Sequence, residues 1–226
     1  GTYGSVLLCQ PGCATGTLAQ RERGVAPAVV YEQGPWRVDA GATPLGFPVV
    51  NVVGGASYRG DLGAATWTAE VSRRAINSSV LSYAGAHDPG TGRTWGGVVA
   101  SGLRLSLSLD TGGDYGAWSS AGAHRLTGRS VKDNDRLQLM GGVYRRLINE
   151  NDRQLAVGVT AMHWRFSENA GEYTFGHGGY YSPRTYSSLS LPVTFAWRDA
   201  LDAFALRVAV SVSWGQSRRA PFFPTD

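Results

Sequence analysis

At 226 residues and a formal charge of +4, the chain has no run of five or more Lys and Arg and no basic stripe interleaved with aromatics, which excludes nucleic acid as the expected partner. Charged residues make up only 17%, while 31 Gly, 7 Trp and 10 Tyr suit strands and turns with amphipathic rings at interfaces rather than helices. No stretch approaches the ~18 to 20 uninterrupted apolar residues of a spanning helix, a test that strand-built membrane barrels escape because their two faces alternate.

Nothing in the composition divides the chain, and residues 1–226 are read as a single domain. It opens on Gly1-Thr2-Tyr3-Gly4 without an initiator Met or a signal peptide, so the expectation is a fragment or processed piece whose targeting information lies upstream. Cys9 and Cys13 flank a Pro-Gly turn with no second Cys or His cluster to complete a zinc site; a disulfide and two free thiols both remain open.

Period-two alternation then recurs along the chain. Strands are expected at about Gly24 to Gln33, Trp36 to Ala42, Val50 to Arg59 and Thr66 to Arg74. The clearest follows: Leu103, Leu105, Leu107 and Leu109 alternate with Arg104, Ser106, Ser108 and Asp110. Further strands are read from Tyr115 to Leu126, Arg136 to Leu147, Arg153 to Phe166, Ser188 to Trp197 and Phe204 to Trp214. Several match the ~9 to 11 residues of a tilted membrane strand rather than the ~5 to 6 usual in soluble sheets. Pro192 is awkward, since it has no N–H to donate to a ladder.

The links alternate in length. Short ones are Gly60 to Gly63, Thr111 to Asp114, Asn149 to Asp152 and Asp199 to Asp202; long ones run from Ala75 to Gly97, Thr127 to Asp135 and Ser167 to Arg184. Together with the two-faced strands, this pattern predicts an all-β, antiparallel, up-and-down transmembrane β-barrel, with Leu, Val, Ala and Phe toward lipid. The opposite face, expected to line a wet lumen, carries Arg104, Ser106, Trp118, Arg136, Gln138, Tyr144, Arg146, Trp164 and Arg207. The three aromatics there could stack on sugar rings while Arg, Gln and Ser exchange hydrogen bonds with hydroxyls, or could instead pack beneath a loop folded into the pore.

Catalytic and metal motifs are lacking. His87, His124, His163 and His177 fall on different strands or loops without an HExxH spacing, no GxSxG elbow occurs, and no catalytic residue, metal or cofactor is expected. Arg59-Gly60-Asp61 spells an adhesion tripeptide but is read as a tight turn, and the glycines from Gly176 to Gly179 are read as a flexible or close-packed loop rather than a phosphate loop.

Specific words now add to the pattern. TPLGFPVVNVVGG (Thr43 to Gly55), SRRAINSSVLSY (Ser72 to Tyr83), DPGTGRTWGGV (Asp88 to Val98), RRLINENDR (Arg145 to Arg153) and GGYYSPRTYSSLSLPV (Gly178 to Val193) resemble the carboxy-terminal domain of the cellulose synthase operon protein C family, over nearly all of the chain from about Arg23 onward. The resemblance implies the later strands of a sixteen-stranded porin in the bacterial outer membrane, joined to periplasmic tetratricopeptide repeats and conducting nascent cellulose or a related glucan supplied by the inner-membrane cellulose synthase complex. No helical repeat of roughly 34 residues occurs in this chain, so the repeats and the earlier strands are expected upstream. The alternatives are an outer-membrane barrel enzyme, a hydrolase or acyltransferase acting on exported polysaccharide, and a structural anchor for the repeats. Sidedness carries a conflict: long loops usually lie outside, yet a short link before the final strand makes that strand end on the same rim, whereas barrel carboxy termini normally end in the periplasm; either the strand count is off by one, or the longer, motif-rich loops face the periplasm, where they could receive polymer.

Overall fold

The computed structural model describes residues 20–88, 91–199 and 203–219. Its strands are β1 (Ala28–Gln33), β2 (Trp36–Ala42), β3 (Val52–Leu62), β4 (Ala65–Ala75), β5 (Ala86–His87), β6 (Thr94–Asp110), β7 (Tyr115–Arg129), β8 (Val131–Asn149), β9 (Arg153–Phe166), β10 (Thr185–Arg198) and β11 (Ala205–Arg218), with one short helix, α1 (Val80–Ala84), ahead of β5. They form one antiparallel meander in the order β1-β2-β3-β4-β6-β7-β8-β9-β10-β11, and β5 is a two-residue flap on β6. Among the described residues β1 and β11 do not pair with each other, so the sheet has two free edges. Cys9 and Cys13 lie outside the described residues.

Side-chain alternation along each strand makes the ladder registers decide which residues share a face. Leu103 opposes Val71 on β4 and Ala123 on β7, and Ala123 opposes Leu137 on β8. This face stays bare: Leu103 is 62% exposed, and Leu105, Val143, Leu191, Val193, Val208 and Val210 are exposed with it. An apolar surface of this extent is unstable in water and belongs against hydrocarbon. Toward the rim of the short links it gains rings: Trp36 meets Tyr58 edge-on at 4.8 Å, Tyr58 meets Trp67 at 5.5 Å, and the Arg145 guanidinium lies 5.4 Å over Tyr115. Such rings suit the hydrocarbon–headgroup boundary.

The other rim holds the core. Val98, Ala100, Leu126 and Phe166, from the ends of β6, β7 and β9, pack with Ala170 and Tyr180 of the 167–184 loop, and Leu81, Ala86 and Trp95 form an adjoining cluster. The loop between β2 and β3 locks on through Val49 N to Ala84 O at 3.0 Å and Asn51 Nδ2 to Gly97 O at 2.9 Å. Helix α1 begins at a capping box in which Ser79 Oγ accepts from Ser82 N and Ser82 Oγ accepts from Ser79 N.

Three expectations need correction. The segment from Thr127 to Asp135 is not a long loop: β7 continues to Arg129, turns at Ser130 with φ 49°, and returns as β8 from Val131. Its polar string resembles a loop because past the membrane one face is solvated while the other packs polar groups such as Asn134 beneath the 167–184 loop, and the apolar alternation is lost. Likewise β6 begins at Thr94 rather than Leu103, and shifts register between Gly96 and Val99. Arg59-Gly60-Asp61 is strand, not turn; β3 runs to Leu62, and the reversal uses Gly63 at φ +61°. Pro192 is accommodated where the β9 ladder skips it: pairing passes from Ser190↔Thr160 to Val193↔Val157.

The two faces make a direct test. Leu105→Arg in the complete barrel is expected to destabilise insertion by about 2–4 kcal/mol, the midplane penalty for a lipid-facing arginine, while Ser106→Arg one position along costs far less. Equal effects in urea titrations of bilayer-inserted protein would contradict the assignment of faces.

Candidate functional site

On the polar face one cross-strand row runs through all ten long strands: Glu32, Arg37, Ser57, Glu70, Arg104, Gly122, Gln138, Trp164, Tyr186 and Ser217. Arg104, Gln138 and Trp164, three of the expected lumen residues, therefore lie in a single row. The other six share the face. Ser106 stands between Thr68 and Ser120, Trp118 between Ser108 and Gly142, and Arg136 between His124 and Phe166. Tyr144 lies between Gly116 and Gly158, Arg146 opposes Ala156, and Arg207 opposes Ala196, apart from the rest near the short-link rim of β11.

Several charges are neutralised within the face. Arg146 forks onto Asp110 at 2.6 and 3.0 Å, the Tyr144 hydroxyl donates to the same carboxylate, and the Arg146 guanidinium lies 5.2 Å over the Tyr144 ring. Arg74 grips Asp39 with two nitrogens, one at 2.7 Å, and reaches Glu70 at 3.6 Å; Arg37 pairs with Glu32. Neither Asp110 nor the Asp39–Arg74–Glu70 set was among the expected site residues. Their signal in the sequence is weak, because ion pairing across strands depends on register rather than on spacing along the chain.

A second feature unites the aromatics. A side chain at Gly116 would come within 2.2 Å of the Tyr144 ring, at Gly142 within 2.9 Å of Trp118 Nε1, and at Gly215 within 3.0 Å of the Tyr186 hydroxyl. Each ring lies over a glycine of a neighbouring strand, occupying the space a β-carbon would need. Recessed in this way, the rings cover backbone and leave the face low.

Toward the long-link rim the polar face disappears beneath a cap. The strand residues in the core cluster, Val98, Ala100, Leu126 and Phe166, stand in the polar-face positions of their strands, so the 167–184 loop folds across this face, and Trp164 packs against its underside. Of the two readings of the aromatics, packing beneath a loop holds for Trp164, which also meets Tyr186 at 5.9 Å. Trp118 lies outside the core cluster. The glycine-rich stretch from Gly176 to Gly179 is close-packed: a β-carbon on Gly178 would come within 2.3 Å of the Tyr180 ring.

Asn134 ties this loop down. Only 1% exposed, it donates from Nδ2 to Glu168 O at 2.9 Å and to the Tyr180 hydroxyl at 3.0 Å, and its Oδ1 accepts from Ser167 Oγ at 3.0 Å and Glu168 N at 2.9 Å. Both amide hydrogens and both lone pairs are thus satisfied. Burial pushes the Tyr180 hydroxyl up to about 12, opposed by the Asn134 bond, so it stays neutral at physiological pH. Beneath the cap, Trp164 Nε1 and Arg136 Nε are buried donors with no hydrogen-bond partner among the described residues.

His163 and Ser187 meet at 2.8 Å, but on the apolar face, away from the polar surface. Among the described residues no three His, Cys, Asp or Glu side chains converge to hold a metal ion.

A family model described as "Cellulose synthase operon protein C C-terminus" matches residues 1–226. Cellulose synthase operon protein C of Escherichia coli K12 is 41% identical over 206 residues, covering 90% of this chain and 18% of that protein. Its counterpart in Xanthomonas axonopodis pv. citri is 41% identical over 212 residues, covering 92% of this chain and 14% of its own length. The chain thus spans less than a fifth of these relatives. In fold it is similar to in-vitro folded OmpT, an outer membrane protein of Vibrio cholerae, at a TM-score of 0.50 and 14% identity over 85% of this chain and 53% of that one.

Asn134→Ala is expected to free the 167–184 loop, since it removes four hydrogen bonds and strands buried partners at about 1–3 kcal/mol each. Amide exchange in that loop should accelerate at least tenfold in the full-length protein while β7 and β8 below it stay protected; unchanged exchange would remove Asn134 from this role.

Proposed function

The chain belongs to the family of the cellulose synthase operon protein C C-terminus, and from that membership we propose that it forms part of an outer-membrane β-barrel that conducts nascent cellulose, or a related glucan, from periplasm to cell exterior. The carrying observation is the polar face below the cap: hydroxyl, amide, guanidinium and ring groups line one side of the sheet, whose other side is largely exposed apolar surface. A neutral, hydroxyl-rich polymer is matched by such a surface through many weak contacts, none strong enough to hold it back. Trp118, Tyr144 and Tyr186 offer apolar ring surface for sugars, and Gln138, Ser106, Arg104 and Arg207 offer hydrogen bonds.

The two free edges supply the next step. Unpaired backbone in hydrocarbon is costly, so further strands close the barrel, sixteen in all on the family resemblance described above. The rest of the longer protein, including periplasmic tetratricopeptide repeats, receives polymer from the inner-membrane synthase complex. The conduit is passive and driven by synthesis; it makes and breaks no bonds. Long links usually face the exterior in barrels of this kind; on that rule the cap closes the outer end, and β11, which runs from the short-link rim to the cap rim, ends outside with it.

Two measurements test this. Trp118→Ala should lower cellulose secretion severalfold with normal barrel assembly, and unchanged secretion would sink the stacking contribution. In planar bilayers the complete barrel should conduct weakly with the cap in place and severalfold better after deletion of residues 170–181; a barrel tightly closed in both forms is not a pore.

A further inference from the structure

The apolar face is not uniformly apolar. At its long-link end Arg73 and Arg125 belong to one cross-strand row, through Arg73↔Ser101 and Ser101↔Arg125. Two residues lower along the strands, the row that begins with Val71, Leu103, Ala123 and Leu137 continues as Arg165, Thr185 and Arg218. In a tilted sheet the rows slant against the membrane normal, so a belt at constant height must step from one row to the next. The four arginines occupy these two neighbouring rows, on β4, β7, β9 and β11.

Their surroundings leave positive charge unspent. Among the described residues Arg73 donates to Val52 O and Ser101 Oγ, each at 3.1 Å, while Arg125 pairs with Asp133 at 2.9 Å and stands across from Asp135. Arg165 and Arg218 have no carboxylate partner among the described residues. Arg125 and Arg165, two strands or about 10 Å apart, line a common surface groove with Leu137 and Ser167, which Asp135 borders. At the opposite end of the face stand Trp36, Tyr58, Trp67 and Tyr115 instead. Rings thus predominate at one boundary of the hydrocarbon, where the Arg145 guanidinium also lies over Tyr115, and unstacked guanidinium groups at the other.

We propose that Arg73, Arg125, Arg165 and Arg218 form a belt that binds the phosphate groups of lipopolysaccharide in the outer leaflet. The guanidinium fork matches phosphate oxygens in pairs, and the apolar residues immediately below receive acyl chains. The outer-leaflet lipid is assigned because this end of the face carries the long links. The inference rests on the membrane-spanning reading above, but not on passage of any polymer.

Native mass spectrometry of the full-length protein in detergent, titrated with lipopolysaccharide, its dephosphorylated form or phosphatidylglycerol, tests the belt. Intact lipopolysaccharide should be retained on the unaltered protein, the dephosphorylated form lost, and phosphatidylglycerol bound at least tenfold more weakly. The double variant Arg125→Ala with Arg165→Ala should cut retention about tenfold, Arg125→Lys with Arg165→Lys should restore part of it, and heat-modifiable gel mobility reports that each barrel is folded. Phosphate-independent retention, equal binding of phosphatidylglycerol, or undiminished retention by the alanine pair would each overturn the proposal. Cellulose secretion by the unaltered full-length protein is read separately: a protein that retains lipopolysaccharide but conducts no polymer counts against the conduit, not the belt.

Discussion

Backbone pairing governs this molecule before any side chain does. In hydrocarbon an N–H or C=O without a partner costs several kcal/mol, and the meander from β1 to β11 meets that demand by pairing each strand with its neighbours in sequence. Once the ladder carries the backbone, the side chains are released to serve two solvents. The same ladder makes register decisive: a slip of one residue would turn Leu103, Leu105, Leu107 and Leu109 inward and present Arg104, Ser106 and Asp110 to lipid. Tight links such as Gly63 between β3 and β4 hold the phase from strand to strand.

The cap is the one place where this two-solvent rule is suspended. Beyond the membrane a strand may carry apolar residues on its inner face, provided something covers them, and the 167–184 loop does so. A bundle of loops held only by Leu126, Phe166 and Tyr180 would be free to slide; Asn134 gives it a defined seat, because four directional bonds tolerate little displacement. The price is a pair of buried donors below, Trp164 Nε1 and Arg136 Nε, that find no partner among the described residues.

Legibility in the sequence followed the physics of each region. Within the membrane, period-two alternation placed β2 and β9 to the residue and put all nine expected lumen residues on one face. Outside it the same signal failed. Val98, Leu126 and Phe166 sit at polar-face positions, and the string from Thr127 to Asp135 lacks apolar spacing, so the ends of β6, β7 and β8 were not readable as strand. Partners across strands were hidden as well: nothing local marks Asp110 as the acceptor for Arg146, 36 residues away. The long motif words compensated, since several of them, around Val49, Leu81, Trp95 and Tyr180, prove to contain residues buried at the capped rim.

The rings seated over Gly116, Gly142 and Gly215 bear on friction. A ring standing out from a wall gives a sliding polymer deep wells separated by steep ridges, whereas a ring sunk over a glycine of the next strand lies close to the level of the backbone around it. The potential along such a wall is shallow in corrugation. On the conduction proposed above, a stiff chain pushed from behind would lose little work at each sugar repeat, and its speed would be set by the rate at which it is made.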